Sequence, residues 1–211
     1  MPADAPRVGA GGPAPSGRVA GVVLAAGSST RFGRNKLLLN LGGESLARRA
    51  STAALDAQLD PVVVVLGHEA DLVRAQLEGL AVQEVRNRDH ARGMSSSLAA
   101  GIAALPESAD AAVVLLADMP LVTAAMVARL ARTFRETGAL LVVSAYGGVD
   151  GPPTLFARAL FAELRESQGD AGGRPVVRRH EGDLVRVDWP AAALADVDRE
   201  ADWERMRVPA P

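Results

Sequence analysis

Four short runs of small apolar residues constrain the fold of this chain more than any other feature of its sequence. They lie at Val19–Ala25 and at residues 61–66, 111–117 and 139–145. Valine, leucine and alanine follow one another in these runs without polar alternation. This pattern is typical of strands in a parallel sheet that is covered on both faces. A weaker run at 82–85 is expected to add another strand.

Segments of helical periodicity separate these runs, at residues 44–58, 68–77, 95–104 and 123–135. The alternation predicts an α/β fold: a doubly wound (Rossmann-like), mostly parallel sheet with helices on both faces. The length of 211 residues fits a single domain. We expect a disordered Pro/Gly/Ala-rich lead-in over 1–17 and one domain over 18–211. After Tyr146 a helix is predicted at 155–165, and this last third is expected to shape the site of a second substrate.

Composition excludes several classes of function. The chain has no cysteine, which excludes disulfides, thiolate metal sites and a cysteine nucleophile. Its net charge of −2 provides no general attraction to nucleic acid or to an anionic membrane. The apolar runs are far shorter than the roughly 20 residues of a membrane-spanning helix. The first residues lack a signal-peptide core, so we expect a cytoplasmic protein.

A glycine-containing loop, "GSSTRFGRNK", follows the first strand, where sheets of this kind bind their ligands. Its backbone N–H groups and hydroxyls could converge on a phosphate, and its cations supply charge. The only lysine among 23 basic residues, Lys36, ends this loop. A simple turn would explain the glycine, but the clustered cations favour a phosphate site. The candidate nucleotide-binding residues are Ala25, Ala26, Gly27, Ser28, Ser29, Arg31 and Lys36.

A carboxylate is expected beside this loop. Asp118 follows the third strong run in "LLADMP", at the same edge of the sheet if the strands are parallel. It is either a turn residue before Pro120 or, next to a phosphate site, a ligand of Mg²⁺. Asp170, Asp196 and Asp198 are candidates for a second carboxylate.

Three consecutive serines, Ser95, Ser96 and Ser97, open a predicted helix in "RGMSSSLAAG". One serine suffices as an N-cap. The others would suit a phosphate or the polar edge of a base at the helix N-terminus. The three histidines are scattered without metal-ligand spacing and are expected on the surface.

Four motifs together resemble one enzyme family. "LAAGSSTRFGRNKLLLNLGG", "RGMSSSLAAGIAAL", "ADMP" and "GDAGGR" occur in the order and spacing of the molybdenum cofactor cytidylyltransferases, members of the MobA-like nucleotidyltransferase superfamily. The resemblance runs from about residue 22 to Arg174. The first motif is common to the superfamily, whereas the triple serine is more specific.

This resemblance implies a Mg²⁺-dependent transfer of CMP from CTP to molybdopterin cofactor, with Mg²⁺ on Asp118. Arg31 and Lys36 would neutralise phosphate charge, so that Arg31, Lys36 and Asp118 are the expected catalytic residues. The resemblance associates the "LAAG" motif with transfer of a cytidylyl group, since guanylyl-transferring relatives carry glycine at the position of Ala26. The loop that includes Asp170 and Arg174 would face the pterin, as would Gly151. A client molybdoenzyme or its maturation factor is a further partner that this family allows.

Two positions depart from the family pattern. Phe32 stands where methionine is usual, and Gly151 is followed by two prolines where the family has Gly-His-Pro. The second change removes a polar side chain near the acceptor. Transfer to another acceptor, such as a sugar phosphate or an alcohol phosphate, and a non-catalytic pterin carrier therefore remain as alternatives.

Overall fold

The computed structural model describes residues 17–29, 32–195, 197 and 200–207. The expected lead-in lies outside these residues, except for Gly17. Three candidate site residues, Arg31, Asp196 and Asp198, also lie outside them.

A seven-stranded sheet forms the centre of the described chain, in the order β5-β4-β1-β6-β8-β7-β9. β8 runs antiparallel to β6 and β7, and the other neighbouring pairs are parallel. The predicted doubly wound, mostly parallel sheet is therefore confirmed. The strands of this sheet are β1 (Val19–Ala25), β4 (Val62–Leu66), β5 (Gln83–Arg86), β6 (Ala111–Leu116), β7 (Leu141–Tyr146), β8 (Val149–Ala157) and β9 (Leu184–Trp189). A separate hairpin pairs β2 (Asn40–Leu41) with β3 (Glu44–Ser45).

Seven helices accompany these strands in the described residues. They are α1 (Leu46–Asp56), α2 (Ala70–Gln76), α3 (Met94–Ala103), α4 (Ala124–Thr137), α5 (Phe161–Glu166), α6 (Arg174–Arg179) and α7 (Glu200–Arg207). Side-chain caps fix two starts: Ser45 Oγ accepts from the Arg48 N–H, and Thr123 Oγ1 accepts from the Met126 N–H. None of these helices combines the length and apolar character needed to cross a lipid bilayer.

Apolar side chains cover the sheet on both faces. One cluster joins strand residues such as Val23 to Ala54 of α1 and Leu130 of α4. On the opposite face, residues such as Val22 pack against Leu98 of α3. All seven residues of β1 are buried, which explains why its sequence shows no polar alternation.

The predicted helix at 155–165 is wrong in its first part. Leu155, Phe156 and Ala157 end β8, and the α-helix begins only at Phe161. β8 lies between β6 and β7, so these side chains are buried in the sheet. A short apolar run does not distinguish a buried strand from a buried helix by periodicity alone. The last third of the chain thus completes the same sheet.

The parallel register of β1 and β6 places two predicted site segments at one edge. Leu24 pairs with Leu116, and the Ala117 N–H donates to the Leu24 carbonyl at 3.2 Å. The loop that begins at Gly27 and the turn that contains Asp118 therefore leave the sheet side by side, as expected for a shared carboxyl edge.

Close packing of α3 on the sheet depends on Gly101. A Cβ at this position would lie 2.5 Å from Val22 Cγ1 and 2.9 Å from Val65 Cγ2. We expect Gly101→Ala to lower the free energy of unfolding by about 1–3 kcal/mol, because overpacking outweighs the better helix propensity of alanine. Chemical denaturation measures this change. Gly182→Ala, whose Cβ would meet nothing within 4 Å, is the control. A Gly101→Ala protein as stable as the parent would contradict this account of the packing.

Candidate functional site

An ion pair joins the two segments at the carboxyl edge of the sheet. Lys36 Nζ lies 2.6 Å from Asp118 Oδ2, and the two side chains are 12% and 21% exposed. The loop is folded to bring the lysine there. Ser29 Oγ accepts from the Lys36 N–H at 3.1 Å, and Asn35 Oδ1 accepts from the Leu37 N–H at 3.1 Å, which starts a 3₁₀ turn at Lys36.

A cavity of about 280 Å³ adjoins this ion pair, and it is called the nucleotide cavity below. Five of the predicted nucleotide-binding residues line it, together with both carboxylates that can be located. These seven residues are Ala26, Gly27, Ser28, Lys36, Ser97, Asp118 and Asp170. Residues up to 144 positions apart in sequence (Ala26 and Asp170) thus form one cavity that combines a glycine loop, a cation and carboxylates.

Four other predicted residues do not line this cavity. Ala25 is buried in the core at the end of β1, and Ser29 supports the loop backbone through Lys36. Ser95 is buried, and its Oγ has no hydrogen-bond partner within the described structure. Ser96 lines a different hollow, between α3 and the end of α5.

Residues that the sequence did not single out also line the nucleotide cavity. His90 lies there, half-buried, together with Gly93 and Met94. The expectation that the histidines are simple surface residues is therefore wrong for His90. The sequence signal for His90 was its position just before the serine motif. Whether His90 reaches the cavity depends on how the 90–92 turn folds back towards β4, which the sequence does not show.

Asn87 organises the serine motif. This buried residue follows β5, and its Nδ2 donates to Ser96 Oγ at 2.9 Å and to Ser97 Oγ at 3.0 Å. Its Oδ1 accepts from the Asp89 N–H at 2.9 Å. The hydroxyls at the start of α3 are thus held by a side chain from a neighbouring strand end.

A second cavity, of about 600 Å³, lies next to the first, and it is called the acceptor cavity below. All three predicted acceptor-side residues, Gly151, Asp170 and Arg174, line it. Most of its remaining walls are apolar, with further charges at Asp150, Arg178 and Glu181. The two cavities share the wall residues Leu24, Met94, Leu116 and Asp170. The two cavities therefore adjoin each other.

The loop that carries Asp170 packs tightly on the start of α3. The Ser95 N–H donates to the Gly169 carbonyl at 3.0 Å. Gly93 has a φ of +104°, and a Cβ there would lie 2.5 Å from Asp170 Oδ1. Glycine is required at this position both for its backbone conformation and for the approach of the carboxylate.

Ion pairs hold the helices that flank this loop. Glu163 on α5 accepts hydrogen bonds from Arg179 at 2.8 Å and 3.0 Å and lies 2.9 Å from His180 Nε2. These hydrogen bonds, from Arg179 first and His180 second, lower the pKa of the Glu163 carboxyl. Arg186 of β9 binds both oxygens of Asp150 at 2.9 Å, and this hydrogen bonding raises the pKa of Arg186.

The Gly-Pro-Pro segment presents no polar side chain to the acceptor cavity. Tyr146 Oη donates to the Pro152 carbonyl and Ser144 Oγ donates to the Pro153 carbonyl, each at 2.7 Å. Burial raises the pKa of the Tyr146 phenol. The two proline carbonyls are therefore satisfied within the protein, and the cavity wall here is Gly151 and Pro152.

The residues present suit a metal that relies on phosphate oxygens. Among the described residues, no group of three or more His, Asp, Glu or Cys side chains could hold a metal ion. Mg²⁺ commonly uses one or two carboxylates together with substrate phosphates, and Asp118 lies beside the glycine loop. The Lys36 ammonium already occupies a cation position on the Asp118 carboxylate. The site therefore fits a divalent cation that arrives with a triphosphate.

This chain is similar to several known proteins. The model of the MobA-like NTP transferase domain matches residues 21–184. Purine catabolism protein PucB of Bacillus subtilis is 29% identical over 197 residues, which cover 89% of this chain and 95% of that protein. Nicotine blue oxidoreductase of Paenarthrobacter nicotinovorans is 36% identical over 172 residues, which cover 76% of this chain and 82% of that protein.

Solved structures of Rv0371c from Mycobacterium tuberculosis H37Rv are also similar. One has a TM-score of 0.80 with 28% identity and covers 90% of this chain and 97% of that chain. Another, a complex with manganese, has a TM-score of 0.72 with 30% identity and covers 90% and 98%. The residues that line the two cavities all lie within the range 21–184 that the family model matches.

The single lysine allows a direct test of the nucleotide cavity. Apart from the N-terminal amine, Lys36 is the only amine that an amine-selective reagent can modify. We expect saturating CTP with Mg²⁺ to slow modification of Lys36 at least tenfold, because the triphosphate would cover Nζ. Peptide mass mapping over time measures this rate, with the N-terminal amine as internal control. Equal rates with and without nucleotide would place the triphosphate elsewhere.

Proposed function

The chain belongs to the MobA-like NTP transferase domain family, and on that premise we propose that it transfers CMP from CTP to the terminal phosphate of molybdopterin cofactor. As a member of this family it is a nucleotidyltransferase. The observation that carries the proposal is the Lys36–Asp118 pair, which lines the nucleotide cavity beside the glycine loop. We propose CTP as the nucleotide, molybdopterin cofactor as the acceptor and the cytoplasm as the location.

The proposed reaction needs alignment and charge neutralisation more than a base. An oxygen of the acceptor phosphate forms a bond to the α-phosphorus of CTP, and the bond from that phosphorus to the bridging oxygen of the β-phosphate breaks. Pyrophosphate leaves with this electron pair. The acceptor oxygen is already anionic, so no side chain has to remove a proton. Lys36 would stabilise the charge that develops on the phosphates, and Gly27 and Ser28 would orient them.

A divalent cation fits the same scheme. Mg²⁺ held by Asp118 would neutralise phosphate charge and polarise the α-phosphate when bound. Asp170 is the other carboxylate that lines the nucleotide cavity within the described chain. The manganese complex of Rv0371c, a protein similar to this chain, supports a divalent metal here.

Preference for a small base is supported by Ala26. Ala26 lines the nucleotide cavity and is 5% exposed. A Cβ on Gly67 would lie 2.7 Å from both Ala26 Cβ and His90 Cβ. The methyl group of Ala26 therefore has no room to move aside for a larger base. Guanylyl-transferring members of the resembled family carry glycine here.

The identity of the acceptor is the most specific part of the proposal. Asp170 and Arg174 lie in the acceptor cavity as the resemblance implies, and Arg174 could bind an acceptor phosphate. One observation favours a second candidate: the Gly-Pro-Pro wall presents no side-chain hydrogen-bond partner to a polar pterin. Transfer to a phosphorylated compound with a less polar body is the alternative. A non-catalytic carrier is not supported, because the chain is a nucleotidyltransferase.

We expect CTP to be the preferred nucleotide. With Mg²⁺ and molybdopterin cofactor, pyrophosphate release should be at least tenfold faster from CTP than from GTP, because a mismatched base leaves buried groups unpaired. Ala26→Gly should reduce this ratio by widening the cavity. The screen includes ATP, UTP, a sugar phosphate acceptor and a reaction without acceptor. Equal or faster turnover with GTP would overturn the cytidylyl assignment, and turnover only with another acceptor would overturn molybdopterin.

We also expect Asp118→Asn to abolish transfer while the protein stays folded. The change keeps the size of the side chain but removes the charge that holds the metal, so kcat should fall by about 100-fold or more. Steady-state rates over a Mg²⁺ titration and thermal unfolding measure the two effects. Asp60→Asn, at the opposite edge of the sheet and 74% exposed, is the matched control. Near-parental rates at limiting Mg²⁺ would make Asp118 a structural residue.

A further inference from the structure

We propose that Asn87 is a positioning residue that presents the Ser97 hydroxyl proton to the nucleobase, and that it thereby selects cytosine over uracil. This inference rests on the proposed use of a nucleoside triphosphate in the nucleotide cavity. Asn87 does not line that cavity, whereas Ser97 does. Asn87 would therefore act on the base only through Ser97.

The backbone fixes the orientation of the Asn87 amide. The Asn87 N–H donates to the Leu66 carbonyl at 2.8 Å, which holds the residue at the end of the β4–β5 ladder. Its Oδ1 faces the Asp89 N–H, which can only donate. The Nδ2 group must then face the two serines, and it can only donate to them. A flipped amide would place two donors against each other at Asp89.

Ser96 and Ser97 differ in what they do with their own protons. The Ser96 hydroxyl donates within the protein, to the Gly93 carbonyl at 2.8 Å or to the Asp89 carbonyl at 3.0 Å. Ser97 Oγ accepts from Asn87, and no acceptor in the described part of the chain takes its proton. Ser97 is 4% exposed and lines the nucleotide cavity. Its proton is therefore left for a ligand in that cavity.

A fixed donor at this position distinguishes two bases of the same size. Cytosine has a bare N3 that accepts a hydrogen bond, whereas N3 of uracil carries a proton. A donor that faces N3 pairs with cytosine. With uracil, either two donors face each other, or the Ser97 hydroxyl rotates to accept from N3–H and its own proton is left without an acceptor. Ala26 limits the size of the base, and the Asn87–Ser97 pair would choose between the two pyrimidines.

Replacing the amide by an isosteric carboxylate should reverse this donor. In Asn87→Asp, one oxygen still accepts from the Asp89 N–H. The other oxygen replaces Nδ2 and can only accept, so the Ser97 proton turns towards it. The cavity then meets a Ser97 lone pair, which suits the N3–H of uracil. The added negative charge repels both triphosphates alike and cancels in the ratio of their affinities.

The experiment measures the ratio of the dissociation constants of the α,β-methylene analogues of CTP and UTP with Mg²⁺, by calorimetry. We expect Asn87→Asp to shift the ratio towards UTP by about 10- to 100-fold. Ser97→Ala should reduce the preference for CTP by about tenfold. In the Ser97→Ala background, Asn87→Asp should cause no further shift, since Asn87 acts through Ser97. In turnover, the single variants should change KM for CTP more than kcat.

Matched controls separate positioning from general damage. Asn40→Asp makes the same change at an exposed asparagine whose Oδ1 accepts from the Gly43 N–H. Ser51→Ala removes a buried helical hydroxyl that bonds to Ala47 in α1. Neither should alter the ratio. Thermal unfolding establishes that each variant is folded. If Asn87→Asp does not fold, Ser97→Ala alone decides, because an unchanged ratio in that variant overturns the proposal.

The outcomes distinguish this inference from the proposed function. A parent protein that prefers GTP would overturn the cytidylyl assignment. The positioning role would then be tested on the affinity for GTP. If the effects of Asn87→Asp and Ser97→Ala on that affinity are coupled, Asn87 acts through Ser97. Independent effects, or an Asn87→Asp shift that persists without the Ser97 hydroxyl, would overturn the inference even if CTP is the substrate.

Discussion

The parallel pairing of β1 with β4 and β6 is the constraint on which the rest of the structure depends. β1 is buried on both faces and paired along both edges, so its end defines where the chain can open a binding site. Its register with β6 brings the glycine loop next to the turn that contains Asp118. The 2.6 Å contact between Lys36 and Asp118 is a consequence of this register, since the two residues lie on different segments 82 positions apart.

Both cavities combine cations with carboxylates. Lys36 and Asp118 lie at the glycine loop, Arg174 and Arg178 line the acceptor cavity, and Asp170 faces both cavities. Cations on either side would balance two phosphate groups that must approach each other. The apolar walls between these charges keep the electrostatic interactions strong, because they lower the local dielectric. Specificity for the base would come from buried hydrogen bonds around Ser97, where each unsatisfied group is costly.

Much of the fold could be predicted because buried strands have continuous runs of apolar residues in the sequence. β1 has the predicted bounds, and β4, β6 and β7 begin and end within two residues of the predictions. β8 was missed because Leu155–Ala157 reads equally well as helix or strand until its neighbours, β6 and β7, are known. His90 was missed for a related reason: nothing in the local sequence shows that the 90–92 turn lies against Ala26 and Gly67.

The sequence by itself determined the alternation of the main strands and helices from β1 to β7, the glycine loop with its single lysine, and the candidate carboxylate after the third strong run. These follow from periodicity and local chemistry, which act over a few residues. The tertiary structure decided which of these groups meet. It separated Ser97, in the cavity, from Ser95 and Ser96, outside it, and it gave Asn87 a role that no motif contains. The reason is physical: which side chains meet across strands and helices depends on sheet order and register, and those are set by long-range pairing that short-range patterns do not encode.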